Sequence, residues 1–452
     1  MKNIKLYTII SFCAASVSAG AQISFENSAG EVITVKPAAS TGLSAVYVLP
    51  STDGVKVSYR DAGTPASSHR WQRFDSRGGG YAEHVASAVE GDRSVVTLNG
   101  GDGGYIVTPS DGAAQQCFWV VDYSRHECVL DALSAPMEQD CGQQRLVLDG
   151  VAPRIVYYSV NGRGETLSRE LALTYTSLTL DEERRQWVPS EAAETLEYVN
   201  GDIICAGALC DTDFHLEGDR FQKQWGRGRA VSTGNIAPHS VDAATWVEQI
   251  TEDHDNEIKD GGDDGSGGTL GGSAPVRINF TAAVTDAAIY REWQFASDPE
   301  FDYIDMRVNE LETERVFEDY GSVYARFLCG NNEGTCEKVS QTYTITIGES
   351  RLECPNAFSP GASEGVNDEW KVSYKSITRF ECHIFNRWGV EVAHLDNPSQ
   401  GWNGRYKGKL VPSGVYYYVI SATGADGKNY KLSGDINIIG YKGTRGTAAP
   451  AE

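Results

Sequence analysis

The stretch FECHIFNRWG, Phe380 to Gly389, decides how the chain is read. Phe380, Cys382 and Ile384 alternate with Glu381, His383 and Phe385, the period-two pattern of a strand with one buried face. The same alternation recurs where Val415, Tyr417 and Val419 interleave with Tyr416, Tyr418 and Ile420. Leu432, Ile436 and Ile438 share one face of a last strand, and GADG (Gly424 to Gly427) supplies the hairpin turn before it. Residues 353–440 therefore read as a compact antiparallel sandwich.

Working outward, residues 274–349 repeat the pattern. Val276, Ile278 and Phe280 alternate with Arg277 and Asn279, and Trp293 and Phe295 share a face. Val323, Ala325 and Phe327 follow, then Tyr343, Ile345 and Ile347. Residues 22–125 hold short apolar runs, among them Ala45 to Leu49, Val55 to Tyr59 and Cys117 to Val121, separated by glycine, proline and serine. Trp71 sits where an immunoglobulin-like sandwich buries a tryptophan. GGDGG (Gly100 to Gly104) is a turn and not a phosphate loop, since neither a lysine nor a helix follows it. Residues 126–250 read as further immunoglobulin-like structure with an open internal boundary: Arg154 to Val160 and Leu171 to Tyr175 are strands, Asp181 to Arg185 is a solvated edge, and Phe214 to Leu216 and Phe221 to Trp225 are strand candidates. The fold class is all-β: tandem immunoglobulin-like β-sandwich modules ending in a small antiparallel β-sandwich.

Length and charge agree with a multi-module exported chain. At 452 residues it exceeds one ordinary domain. Residues 1–21 read as a signal peptide: Lys2 and Lys5, an apolar run from Leu6 to Val17, and a small-x-small end at Ala19-Gly20-Ala21. No later stretch approaches the roughly 20 apolar residues of a membrane span. The formal charge is −23, and the acidity lies in the middle of the chain, which argues against nucleic acid and anionic lipid as partners. Residues 251–273 read as an acidic Gly/Ser linker, and residues 441–452 as a polar disordered tail. A calcium loop in the linker lacks the glutamate and flanking helices that the EF-hand pattern requires. No cofactor is expected.

In an exported chain, cysteines point to disulfides rather than metal. Three local pairs suggest themselves: Cys329 with Cys336, Cys354 with Cys382, and Cys205 with Cys210. Spacing leaves the connectivity open, and no metal ligand set is assigned.

The last module resembles the gliding-motility-associated C-terminal domain, the type B (CHU_C-like) sorting domain of the type IX secretion system in Bacteroidetes. The residues that carry the likeness are PNAFSP (Pro355 to Pro360), VNDEW (Val366 to Trp370), IFNRWG (Ile384 to Gly389), GWNG (Gly401 to Gly404), PSGVYYYVI (Pro412 to Ile420) and GDINIIG (Gly434 to Gly440). The resemblance makes Asn386, Arg387, Trp388, Gly389, Trp402, Gly404 and Gly414 the sorting-motif residues. It implies secretion across the outer membrane, with the type IX translocon and an outer-membrane partner of the PorP/SprF kind as partners. Arg387 suits a carboxylate contact or stacking on a tryptophan. Where the family carries an aspartate-bearing loop this chain has GASEG (Gly361 to Gly365), a departure that speaks against the calcium the resemblance would allow at Asp368. Residues 274–349 resemble a PKD-type immunoglobulin-like domain through YREWQF, YGSVYARFLCGNNEG and TYTITI, with WQFASD in place of the glycine-bearing family motif.

No catalytic residues are assigned. HExxH and P-loop signatures are missing from the sequence. The expected function is a secreted or cell-surface structural or adhesive protein. Two alternatives stand beside it: a glycan- or host-protein-binding protein using Trp187, Trp225 or Trp246, and a hydrolase hidden in residues 22–250.

Overall fold

A computed structural model describes residues 22–110, 114–137, 139–250, 254–259, 270–361 and 367–439. The expected signal peptide, most of the expected linker, most of GASEG and the expected tail lie outside the described residues. The chain divides into two compact units, one of residues 1–139, 143–177 and 190–237, the other of 140–142, 178–189 and 238–452.

In the first unit a four-stranded sheet (Gln22–Glu26, Asp53–Arg60, Arg93–Asn99, Ala88–Glu90) and a six-stranded sheet enclose a core around Trp71 and Phe118. The six-stranded sheet runs Ile33–Val35, Ala45–Leu49, Gln116–Asp122, Gly103–Thr108, Arg70–Phe74 and Glu83–Val85. Phe118 stacks on Tyr105 at 5.6 Å and meets Tyr47 and Trp71 edge-on. Strand Gln116–Asp122 is apolar on both faces. Phe118 and Val120 enter this core, while Trp119 and Val121 enter a second one. That second core runs from Ile33 to Phe221 and takes in Leu146, Leu171, Leu173 and Phe214, so it draws on both sides of residue 126.

Beyond that sheet, Val129–Ser134, Gln143–Val151 and Ile203–Ala206 form one sheet. Leu171–Asp181, Gln186–Leu196, His215–Gly218 and Arg229–Ser232 form another, with DEERR at the hairpin turn of its long strands. One strand candidate is corrected here. Phe221 to Trp225 is not extended, because Arg220–Gln224 is a short α-helix whose N-cap, Asp219, accepts a 2.8 Å hydrogen bond from the Gln222 amide. Asp219 also pairs with Arg169; both side chains are fully buried, and the Tyr123 hydroxyl donates to the same carboxylate at 2.8 Å.

In the second unit, Ala243–Ile250, Val276–Val284 and Glu312–Phe317 form one sheet of an immunoglobulin-like sandwich. The facing sheet is built from Tyr343–Ile347, Gly321–Gly330, Tyr290–Ala296 and Met306–Val308, with Leu270–Gly272 adding a parallel edge. Phe280 packs edge-on to Trp293 and Phe295 in its core. The segment read as a linker is therefore structured in part. Leu270–Gly272 is a strand, and the Asn256 side-chain amide donates to the Val372 and Pro398 carbonyls.

The expected disulfides are corrected by the structure. Cys336 bonds to Cys141 and not to Cys329. Cys354 and Cys382 remain thiols, and burial pushes the Cys382 thiol up to about 12. Cys205 and Cys210 do not bond to each other: the first thiol faces the Gln144 carbonyl, the second the Thr176 carbonyl. The true partner of Cys336 lies 195 residues away.

The last module carries a five-stranded sheet ordered Ala357–Phe358, Asn429–Ile438, Gly414–Gly424, Ile377–Phe385, Glu391–Leu395. Its buried face holds Phe380, Cys382, Ile384, Ile420 and Ile436 against Trp370 and Trp402. The other face is open.

Candidate functional site: the open face and turn of the last module

The turn after Ile377–Phe385 is built by two of the expected motif residues. The Asn386 side-chain oxygen accepts from the Trp388 amide at 2.9 Å and the Val390 amide at 3.0 Å. Gly389 lies at φ +78°, the left-handed region that favours glycine. The two residues between them are thereby presented outward. The Arg387 guanidinium lies 4.3 Å from the centre of the Trp388 ring, and Trp388 is 73% exposed. A large flat ring is thereby held in water by the turn, with a cation stacked on it.

The other motif residues are scaffold. Trp402 is buried against Phe358 and Tyr416, and its ring N–H donates to the Arg405 carbonyl at 3.1 Å. Trp402 and Trp370 exchange two backbone hydrogen bonds of 2.9 Å. Gly404 lies at φ +70°, and a Cβ there would come within 3.1 Å of Pro360. Gly414 begins its strand at φ +148°. Of the seven, Arg387 and Trp388 are the ones that present an exposed side chain.

Beside the turn runs a surface that the motifs do not reveal. Cross-strand pairing sets Phe385 opposite Tyr417 and His383 opposite Val419. Val415, Tyr417 and Val419 are all exposed, as is Val390. Directly opposed residues point to the same face of an antiparallel pair, so these side chains make one apolar strip across the middle of the sheet. At the edge of this face, on Glu391–Leu395, His394 stands opposite His383. The strip was readable only as alternation, because either phase of YYYVI is apolar.

The His69 imidazole hydrogen-bonds Ser94 at 2.9 Å, and the Trp71 ring N–H donates to the same hydroxyl at 2.9 Å. All three residues are buried, so this serine–histidine pair braces a core and is closed to substrate. Trp225 belongs to the first unit, packs edge-on to Tyr123, and donates to the Glu31 carbonyl at 2.7 Å. Trp187 and Trp246 belong to the second unit. There Arg185 lies over the Trp246 ring, and Trp187 lines a shallow groove of about 920 Å³ with Arg185, Asp286, Arg291 and Glu312.

Two stretches of the chain match known families. Residues 352–438 match the CHU_C Type IX secretion signal domain. This module is a type IX sorting signal. Residues 134–233 match the fibronectin type III domain, so the expected immunoglobulin-like structure there is a fibronectin-type sandwich. Residues 274–349 carry an immunoglobulin-like fold, without a specific assignment to the PKD type. No curated protein matches the chain. Among solved structures, a tetra-tandem repeat from the extending region of a large adhesion protein is 12% identical, with TM-score 0.21, covering 86% of this chain and 96% of that one. The chicken CNTN1 FN1–FN3 domains are 11% identical, with TM-score 0.23, covering 69% and 99%. Among the described residues, no helix is long and apolar enough to cross a membrane.

Proposed function

We propose that this chain is a multi-module surface or extracellular protein, exported by a type IX secretion system that recognises the Arg387–Trp388 turn and the adjoining apolar strip of the sorting signal. The observation that carries the reading is the exposure of Arg387 and Trp388 on a turn whose other residues are committed to holding it. The strip of Val415, Tyr417 and Val419 supports it, since contiguous exposed apolar surface marks an interaction site. The partner is a component of the secretion machinery, an outer-membrane protein of the PorP/SprF kind. Residues 1–21 act as the signal peptide for the first membrane crossing, and the β-sandwiches before residue 353 are the cargo. Their role is structural or adhesive.

The test is export of Arg387→Ala/Trp388→Ala and of a deletion of residues 353–452 from a type IX-competent cell. Both are expected to stay in the periplasm. Arrival of either at the surface or in the medium refutes the reading. A second role for the cargo, binding of a glycan or protein ligand, is favoured by the groove at Trp187. Loss of ligand in Trp187→Ala, with export unchanged, would support it.

A further inference from the structure

The open face of the sorting signal also carries a cluster of two histidines and a glutamate. Strand register sets His383 and His394 opposite one another, and their rings stack 4.6 Å apart, only 4° from parallel. Glu381 lies two residues before His383 on the same face. Its Oε1 is 3.3 Å from Nε2 of His383 and 3.8 Å from Nε2 of His394. One donor atom from each of the three lies within 4.8 Å of the other two.

These separations suit a small ion. Zinc binds imidazole nitrogen and carboxylate oxygen at about 2.0–2.2 Å with tetrahedral angles, which places neighbouring donors roughly 3.3–3.6 Å apart. The 3.3 and 3.8 Å from Glu381 are close to this spacing, and the two parallel imidazole rings turn about χ2 to aim one nitrogen each at the ion. A fourth group completes the arrangement. Oε1 of Glu391 is 3.3 Å from Nδ1 of His383, on the far side of that ring. A carboxylate on the second nitrogen is the device that orients a metal-binding imidazole and raises its basicity. Glu381 and His394 are exposed and His383 is half-buried, so an ion has a free path in and a fourth position open to water.

We propose that Glu381, His383 and His394 bind a divalent transition ion of the zinc class, with Glu391 orienting His383. Two imidazoles and one carboxylate select such ions over calcium and magnesium, which take oxygen ligands. The ion joins the edge strand Glu391–Leu395 to its neighbour Ile377–Phe385, so occupancy stabilises that edge. The inference stands apart from the sorting reading, because binding is measured on the purified chain without any secretion partner.

The experiment is calorimetric titration of the full chain with ZnCl2, repeated with CaCl2 and MgCl2, together with the visible absorption of bound Co2+. One equivalent of zinc is expected. Glu381→Gln and His394→Ala are surface substitutions on intact strands, and each should weaken zinc at least tenfold. Zinc should raise the Tm of the parent chain and leave that of His394→Ala unchanged. Absence of zinc binding by the parent chain overturns the proposal. So does unchanged affinity in both variants, which would assign the ion to other groups.

Discussion

Replacing Arg169 by methionine removes the cation that pairs with Asp219 in a fully buried site. In the native unit the Arg169 guanidinium pairs with Asp219 and donates to the Pro153 carbonyl at 2.7 Å, to the Tyr123 hydroxyl at 3.3 Å and to the His126 carbonyl. Both charged side chains are fully buried. After the substitution, the Asp219 carboxylate keeps two donors, the Tyr123 hydroxyl and the Gln222 amide, each at 2.8 Å. A buried charge left without its partner costs about 3–5 kcal/mol, a hundredfold or more in the folding equilibrium. The orphaned Pro153 and His126 carbonyls push the cost toward the upper end. The double variant Arg169→Met/Asp219→Asn removes the stranded charge while keeping a side chain that can cap the helix. It should therefore be less damaging than the sum of its single substitutions. The assay is urea unfolding, read by alkylation of Cys128 and Cys205, which are buried in this unit. A loss below about 1 kcal/mol for Arg169→Met, or strict additivity in the double variant, would refute the assignment.

Three further outcomes are expected. Trp388→Ala should change stability by no more than about 0.5 kcal/mol, whereas Trp402→Ala, cut from a filled core, should cost about 3–5 kcal/mol; thermal unfolding distinguishes them. Reducing the Cys141–Cys336 bond, which spans 195 residues, should lower stability by up to about 5 kcal/mol on the chain-entropy account, measured by denaturant unfolding with and without reductant. Burial alone would raise the Asp122 carboxyl, but hydrogen bonds from Ser124, Gly101 and Thr52 outweigh it and hold the group below the usual carboxylate range. Its contribution is thus full above about pH 4 and is lost as pH falls through the lower folded-state value, so Asp122→Asn should flatten the acid limb of a stability–pH curve.

Much of this architecture could be read from side-chain periodicity. The runs Ala45 to Leu49 and Phe380 to Phe385, and the alternation from Val276 to Phe280, are strands in the structure because period two matches a half-buried sheet. Phe221 to Trp225 misled for a local reason: two aromatics suggested a strand, and the helix is specified by the Asp219 cap just before them. The disulfide was hidden because proximity in sequence says nothing about two loops joined across 195 residues. Trp388 and Trp402 look alike as letters, and only the sheet decides that one is open and the other enclosed. The histidine pair was equally out of reach. It depends on strand register, and the ladder shifts between Ile384 and Phe385 just beyond it.

Strand Gln116–Asp122 has a consequence for how such chains can be cut and rejoined. Because Phe118 and Val120 face one core and Trp119 and Val121 the other, its sheet is a shared wall. A scission near residue 126 would leave a tryptophan-bearing apolar sheet on one fragment and a roofless half-sandwich on the other. Gene fusions that treat the fibronectin-type stretch as a free-standing cassette should therefore yield aggregates, while grafts that carry the wall with it should remain soluble. The transferable piece is larger than a single family match, and its natural seam lies after the second core has closed.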